Sequence, residues 1–109
     1  MNVAGKRILV FGSGISGIGA VRILEERGAY VTLYDGNDKL DAKVIREKMG
    51  EGSKAEIVLG AFPEELLDKL DMVIISPGVP TDLEIVNRMR ACGIPIVGEI
   101  ELAYQLGKG

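Results

Sequence analysis

Three glycines, Gly12, Gly14 and Gly17, follow the apolar run Ile8 to Phe11 in the spacing G-x-G-x-x-G. That spacing suits the binding of a phosphate-bearing ligand by the main chain alone. Gly12 allows a tight turn, Gly14 lets phosphates approach the backbone, and Gly17 lets the next helix pack close to the strand. A helix starting there aims free N–H groups and positive dipole at the anion, so no lysine is needed. An acid, Asp35, stands 18 positions beyond Gly17, near the roughly 20 at which such a site places a carboxylate for a ribose hydroxyl. Ser76-Pro77-Gly78 forms a further turn directly after a second apolar run, Met72 to Ile75. Each feature also has a plainer use, as a packing turn, a solvated carboxylate at a strand end and a rigid corner.

The composition narrows what else the chain can do. Histidine is absent, which removes the usual general base near neutral pH and the commonest metal ligand. The 16 Asp and Glu residues show no metal-ligand spacing and Cys92 has no partner thiol, so no metal site and no catalytic residue are expected. Cys92 is read as a small apolar group near a helix end. A single cysteine makes no internal disulfide and suits a reducing, cytoplasmic compartment. A net charge of −3 and a pI of about 5.0 argue against nucleic acid or an anionic membrane surface as partner. Met1 to Arg7 has no apolar stretch, so no secretory signal is expected. With 109 residues, 47% of them hydrophobic and 27% charged, the chain has the size and balance of one globular domain, residues 1–109.

These chemical groups must be positioned by regular elements, and apolar and polar segments alternate in a βα rhythm. Ile8 to Phe11 is continuously apolar, as a central parallel strand covered on both faces would be. Ile18, Val21 and Leu24, with Ala20 and Ile23 beside them, give helical spacing, and Gly28 is placed to end that helix at C′. Tyr30 to Tyr34 reads as a second strand closed by Asp35. Leu40, Val44, Ile45 and Met49 suggest a short, partly exposed helix ending at Gly50 or Gly52. Ala55 to Leu59 is a third strand, and Pro63-Glu64-Glu65 a helix start that turns Leu66, Leu67 and Leu70 to the sheet. Met72 to Ile75 is a second central strand. Thr81 to Glu84 fits a capping box ahead of a helix burying Leu83, Val86 and Met89, with Ile85 one step round and Gly93 at its end. Ile94 to Val97 is the fifth strand, and Glu99 to Leu106 a last helix.

Five strands joined by helical crossovers predict an α/β, Rossmann-like fold: a five-stranded parallel sheet of order 3-2-1-4-5 with helices on both faces. The order reverses between strands 1 and 4. There the turns at Gly12 to Gly17 and Ser76 to Gly78 should border one crevice, with Asp35 as its side wall. Spacing alone leaves NAD, FAD and a UDP-sugar open, since each offers a pyrophosphate and a ribose.

Taken together, Gly5-Lys6, Gly12-Ser13-Gly14-Ile15-Ser16-Gly17, Asp35-Gly36, Ile75-Ser76-Pro77-Gly78-Val79-Pro80 and Val97-Gly98-Glu99-Ile100-Glu101-Leu102 resemble the N-terminal domain of Mur ligases. The resemblance covers essentially the whole chain, and Ile15-Ser16 in the glycine turn suits the D-glutamate-adding branch. It implies a UDP-binding domain for UDP-N-acetylmuramoyl-L-alanine in peptidoglycan precursor synthesis. The expected UDP contacts are Gly12, Ser13, Gly14, Ile15, Ser16 and Gly17, with Ile15-Ser16-Gly17 at the diphosphate, Asp35 and Gly36 by the uridine, and Ser76, Pro77 and Gly78 closing over the nucleotide. The resemblance also implies that ATP, magnesium and D-glutamate are held by central and C-terminal domains, with no cofactor in this one, which alone should be inactive. The rival readings are an NAD-binding domain of a dehydrogenase or nucleotide-sensing regulator, and an interaction domain whose glycine turn is only structural. Ser76 to Pro80 with Glu99 to Leu102 fits the ligase and not the dehydrogenase. Asp35 is expected to touch the nucleoside and to matter little for stability.

Overall fold

A computed structural model describes residues 2–80 and 82–107 of the chain. The first strand, β1 (Arg7–Phe11), is continuously apolar after Arg7 and buried from Ile8 onward. It lies at the centre of a five-stranded parallel sheet of order 3-2-1-4-5, flanked by β2 (Tyr30–Asp35) and β4 (Met72–Ile75). The outer strands are β3 (Glu56–Leu59), paired with β2, and β5 (Ile96–Gly98), paired with β4. Residues of opposite parity on β1 feed two separate cores, as strand geometry requires. Ile8 and Val10 join Ile18, Val21 and Leu24 of α1 (Ile15–Glu26), Ile45 and Met49 of α2 (Ala42–Met49), and Leu102 and Leu106 of α4 (Glu99–Gly107). Leu9 and Phe11 join Val86 and Met89 of α3 (Glu84–Ala91), with Leu66, Leu67 and Leu70 half-buried at the edge. The expected fold, strand order and helices on both faces are therefore present.

Helix ends follow sequence chemistry where a glycine supplies positive φ. Gly28, at φ +87, follows the C-cap Arg27 of α1. Its N–H bonds the Glu25 carbonyl, and the Ala29 N–H bonds that of Leu24. This is the paired C-terminal closure in which the orphan carbonyls find donors and Ala29 turns into the same core as Leu24. Gly93, at φ +77, closes α3 the same way through the Arg90 and Met89 carbonyls.

Four local expectations shift. Glu64–Asp68 is a 3-10 helix instead of an α-helix, one short run that starts behind its N-cap Pro63 and stops before Asp71, whose N–H already bonds the Arg7 carbonyl ahead of β4. Of the capping box, Thr81 lies outside the described residues. Helix α3 starts at Glu84, with Leu83 as an N-cap that makes no side-chain bond, so Glu84 is at the first helical position and Leu83 is exposed. Strand β5 begins at Ile96 instead of Ile94, since Pro95 has no N–H to give a ladder; its carbonyl accepts from the Val73 N–H. Leu40 precedes α2, whose N-cap is Asp41, its side chain accepting from the Lys43 N–H at 2.9 Å. Cys92 is the exposed C-cap of α3.

Candidate functional site

Parallel register brings the chemical groups to one edge of the sheet. Phe11 pairs with Tyr34 on one side and Ile75 on the other, and Ile75 with Gly98. The residues that follow, Asp35, Gly12, Ser76 and Glu99, consequently stand in a row across the carboxyl ends of strands 2, 1, 4 and 5. Backbone bonds fix the row: Gly12 N–H donates to the Tyr34 carbonyl at 2.7 Å and Ser76 N–H to the Phe11 carbonyl at 3.1 Å. The glycine turn and the Ser76-Pro77-Gly78 turn thus border one crevice at the reversal of strand order, where open α/β sheets bind ligands.

Each motif glycine has a distinct steric reason. Gly12 has φ +117, and a Cβ there would stand 2.5 Å from Ser76 Oγ, so the two turns touch through it. A Cβ on Gly17 would lie 2.0 Å from the Gly12 carbonyl oxygen, and α1 could not start this close to β1 with any side chain there. A Cβ on Gly14, in contrast, would meet nothing within 4 Å. The protein's own packing does not require glycine at position 14.

Helix α1 begins beyond Gly14 with no side-chain cap and no acid in its first turn. The N–H groups of Ile15, Ser16 and Gly17 have no intrahelical acceptor by position, and the first internal bond is Ile18 N–H to the Gly14 carbonyl at 3.0 Å. Gly14, Ile15 and Ser16 are exposed, Ile15 at 90%. An anion at this helix end would meet amide hydrogens and the positive end of the dipole.

Asp35 faces the same turn. Its Oδ2 accepts from the Ser13 N–H at 3.0 Å and the Ser13 hydroxyl at 2.7 Å, and its Oδ1 from the Asn37 N–H at 2.9 Å. Partial burial on its own would raise this carboxyl, but the bonds from Asn37 and Ser13 outweigh it and hold the group below the ordinary aspartate range. Asp35 is therefore a clamp on the glycine turn, which departs from the plainer reading of a solvated carboxylate and from the expectation that it matters little for stability. Beside it, Gly36 is exposed. Tyr34 underlies the clamp: its hydroxyl donates to the Gly60 carbonyl, and its ring meets Phe11 and Phe62 edge to face at 4.9 and 5.2 Å. Burial, with the Asp35 charge second, pushes the Tyr34 phenol up.

On the far side, Val79 N–H closes the Ser76 turn onto the Ser76 carbonyl at 3.0 Å, leaving Pro77 and Gly78 exposed. The Ser76 hydroxyl donates to Glu99 Oε1 at 2.6 Å. Glu99 is 7% exposed, and its Oε2 is buried with no hydrogen-bond partner. Glu99 was legible only as part of a motif, not as a site residue. The available signal was its place one residue beyond a strand end, next in register to Ser76. A hollow of about 720 Å³ against Arg7, Tyr30 and Glu56 lies at the opposite end of the strands, away from this crevice.

Comparison with known proteins agrees with the sequence motifs. Residues 6–98 match a family model described as Mur ligase MurD-like, N-terminal domain. The chain is 54% identical, over 109 residues and its full length, to UDP-N-acetylmuramoylalanine–D-glutamate ligase of Lachnospira eligens, covering 24% of that protein. It is 46% identical over the same span to the ligase of that name from Lachnoclostridium phytofermentans, again 24% of its length. The chain thus spans about a quarter of the curated relatives it matches. Among solved structures, shikimate dehydrogenase from Aquifex aeolicus superposes with a TM-score of 0.63 at 19% identity, covering 97% of this chain and 47% of that one. The precorrin-2 dehydrogenase SirC superposes at 0.56 and 18%, covering 88% and 45%. At that identity the structural likeness speaks to the Rossmann-like fold alone.

Proposed function

The chain belongs to the MurD-like N-terminal domain family of Mur ligases, and from that premise we propose that it binds the uridine diphosphate end of UDP-N-acetylmuramoyl-L-alanine. In this reading residues 1–109 form the N-terminal domain of a three-domain ligase. The diphosphate lies against the N–H groups of Ile15, Ser16 and Gly17, within the turn Gly12 to Gly17. The uridine lies on the Asp35 and Gly36 side, and Ser76, Pro77 and Gly78 close over the nucleotide. The observation that carries the reading is the uncapped start of α1, with Gly14 opening onto empty space, beside the two turns that carry the resemblance to the ligase family.

The chemistry belongs to the rest of the ligase. The substrate's L-alanine carboxylate takes the terminal phosphoryl group of ATP to become an acyl phosphate, and the D-glutamate amine then displaces phosphate to form the peptide bond. ATP, magnesium and D-glutamate are assigned to central and C-terminal domains, the partners of this one. Because the reaction consumes ATP and a UDP-linked cell-wall precursor, it is assigned to the cytoplasm and to the supply of wall for growth and division. This chain's own contribution is to hold and orient the nucleotide.

Isothermal titration of the chain with UDP-N-acetylmuramoyl-L-alanine and with NAD tests the reading. Saturable binding of the first, with NAD much weaker, is expected. Tighter binding of NAD would replace it with a dehydrogenase or nucleotide-sensing function.

A further inference from the structure

Helix α4 has two apolar faces. Leu102 and Leu106, one turn apart, are buried and share a core with Val21 and Leu24 of α1. Ile100 and Tyr104, also one turn apart, stand at 77% and 62% exposure. A surface helix turns one apolar stripe inward and polar residues to water, so a second apolar side marks a helix that is covered on that side too. A groove of about 290 Å³ continues this side onto α1, lined by Gly19, Ala20, Ile23, Ile100 and Ala103 and reaching Pro77 at the crevice. A Cβ on Gly19 would meet nothing within 4 Å, and Ala103 is exposed. Single exposed apolar residues need no explanation, whereas a contiguous patch across two helices marks a contact surface.

The end of α4 is also held in place. The Arg27 guanidinium, from the end of α1, donates to the Leu106 carbonyl at 2.8 Å, placing a cation where the last carbonyls and the negative end of the dipole favour one. With Leu106 buried as well, any polypeptide that continues this chain is tethered at a fixed point within one turn of Tyr104.

We propose that the outer face of α4, formed by Ile100, Ala103 and Tyr104 with Ile23 of α1, docks the part of the ligase that follows this domain in the same polypeptide. The proposal rests on the reading of residues 1–109 as the N-terminal domain of a longer ligase, and names the surface that joins it to the rest. The curated relatives, of which this chain covers 24%, leave about three quarters of their length to supply the occupant. A tether makes docking intramolecular, with an effective concentration on the order of millimolar, so a small patch suffices. A second copy has no such help and needs roughly 20–30 residues a side, far more than this face offers. Because the groove reaches Ser16 and Pro77, a domain docked there borders the crevice between the two turns.

Hydroxyl-radical footprinting of the 109-residue chain and of the full-length ligase, both without nucleotide, tests this with Tyr104 as the reporter. Tyr30, 69% exposed and at the opposite end of the strands, is the internal control. Tyr104 should be oxidised about as fast as Tyr30 in the short chain and several-fold more slowly in the ligase, with Tyr30 unchanged. Equal Tyr104 rates in the two proteins overturn the proposal. So does slowing in the short chain that grows with its concentration, which assigns the face to a second copy, and slowing in the ligase only after UDP-N-acetylmuramoyl-L-alanine is added, which assigns the groove to the ligand. Ile100→Asp should keep the melting midpoint of the short chain within about 3 °C of wild type, as at an exposed site, and return Tyr104 in the ligase to its short-chain rate. A larger drop makes Ile100 part of this domain's own core, and protection that survives the substitution places the contact elsewhere; either overturns the proposal. Should the Ile100→Asp ligase fail to fold, the wild-type comparison decides alone. With no nucleotide present, failure of the uridine diphosphate reading would leave the footprint unchanged.

Discussion

A single oxygen of Asp35 takes both hydrogens that Ser13 can offer, the backbone N–H at 3.0 Å and the hydroxyl at 2.7 Å. The end of β2 is thereby fastened to the turn that opens α1. Asp35→Ala would leave these donors and the Asn37 N–H without their acceptor, so we expect a loss of about 1–3 kcal/mol in urea unfolding. Asp35→Asn, which keeps one acceptor oxygen, should lose less. An unchanged unfolding midpoint for Asp35→Ala would show that the clamp contributes nothing.

The same clamp has a pH signature. The folded carboxyl lies below its ordinary value, so the stability it lends is present above the unfolded aspartate pKa of about 3.9 and is lost as pH falls through the lower folded value. The stability gap between wild type and Asp35→Asn should be flat from pH 7 to about 5 and close below about 4. A gap that widens on acidification would contradict the hydrogen-bonded assignment.

Gly14 and Gly17 separate binding from packing. Gly17→Ala puts a methyl 2.0 Å from the Gly12 carbonyl oxygen and should cost about 3 kcal/mol or more, since backbone has to move. Gly14→Ala meets nothing within 4 Å and should cost at most about 1 kcal/mol, the penalty of alanine at an N-cap. Its UDP affinity should nevertheless fall at least tenfold, because the methyl stands where phosphates approach. Thermal melts and calorimetry on the two variants measure both effects, and wild-type affinity in Gly14→Ala would remove the phosphate from this turn.

Tyr34→Phe should do the reverse. It keeps the edge-to-face ring contacts but deprives the Gly60 carbonyl of its donor. We expect a loss of about 1–2 kcal/mol with UDP affinity unchanged. A parallel loss of affinity would mean that the β2 end transmits its packing to the ligand.

Incubated with ATP and magnesium, the purified chain should release no phosphate, since no run in it resembles a triphosphate loop with lysine followed by Ser or Thr. Sustained ATP turnover would contradict the division of labour proposed here.

Much of this was legible in the sequence, for identifiable reasons. The apolar runs Ile8 to Phe11 and Met72 to Ile75 are too continuous for half-exposed strands, and the glycines at 12, 17, 28 and 93 mark places where no side chain fits or φ is positive. Those local constraints suffice for the strand order and the crevice. What escaped depends on tertiary competition. Helical periodicity around Leu66 does not distinguish a 3-10 turn from an α-helix, and Pro95 moved the start of β5 through a ladder bond no periodicity reports. Burial of Glu99 arises only when α4 starts over the Ser76 turn, and the Ser13 to Asp35 bonds only when β2 lies beside β1. A carboxylate at a strand end looks the same in sequence whether it is solvated or clamped.

The central claim, that the start of α1 is a diphosphate site for a uridine nucleotide, is tested most directly by amide NMR shifts of the chain titrated with UDP-N-acetylmuramoyl-L-alanine, UDP and NAD. The uridine nucleotides should move the Ile15, Ser16 and Gly17 resonances most, with smaller shifts at Ser13, Gly36 and Gly78, while NAD leaves them nearly in place. Shifts confined to residues away from the glycine turn, or larger shifts with NAD than with the uridine nucleotides, would contradict the account.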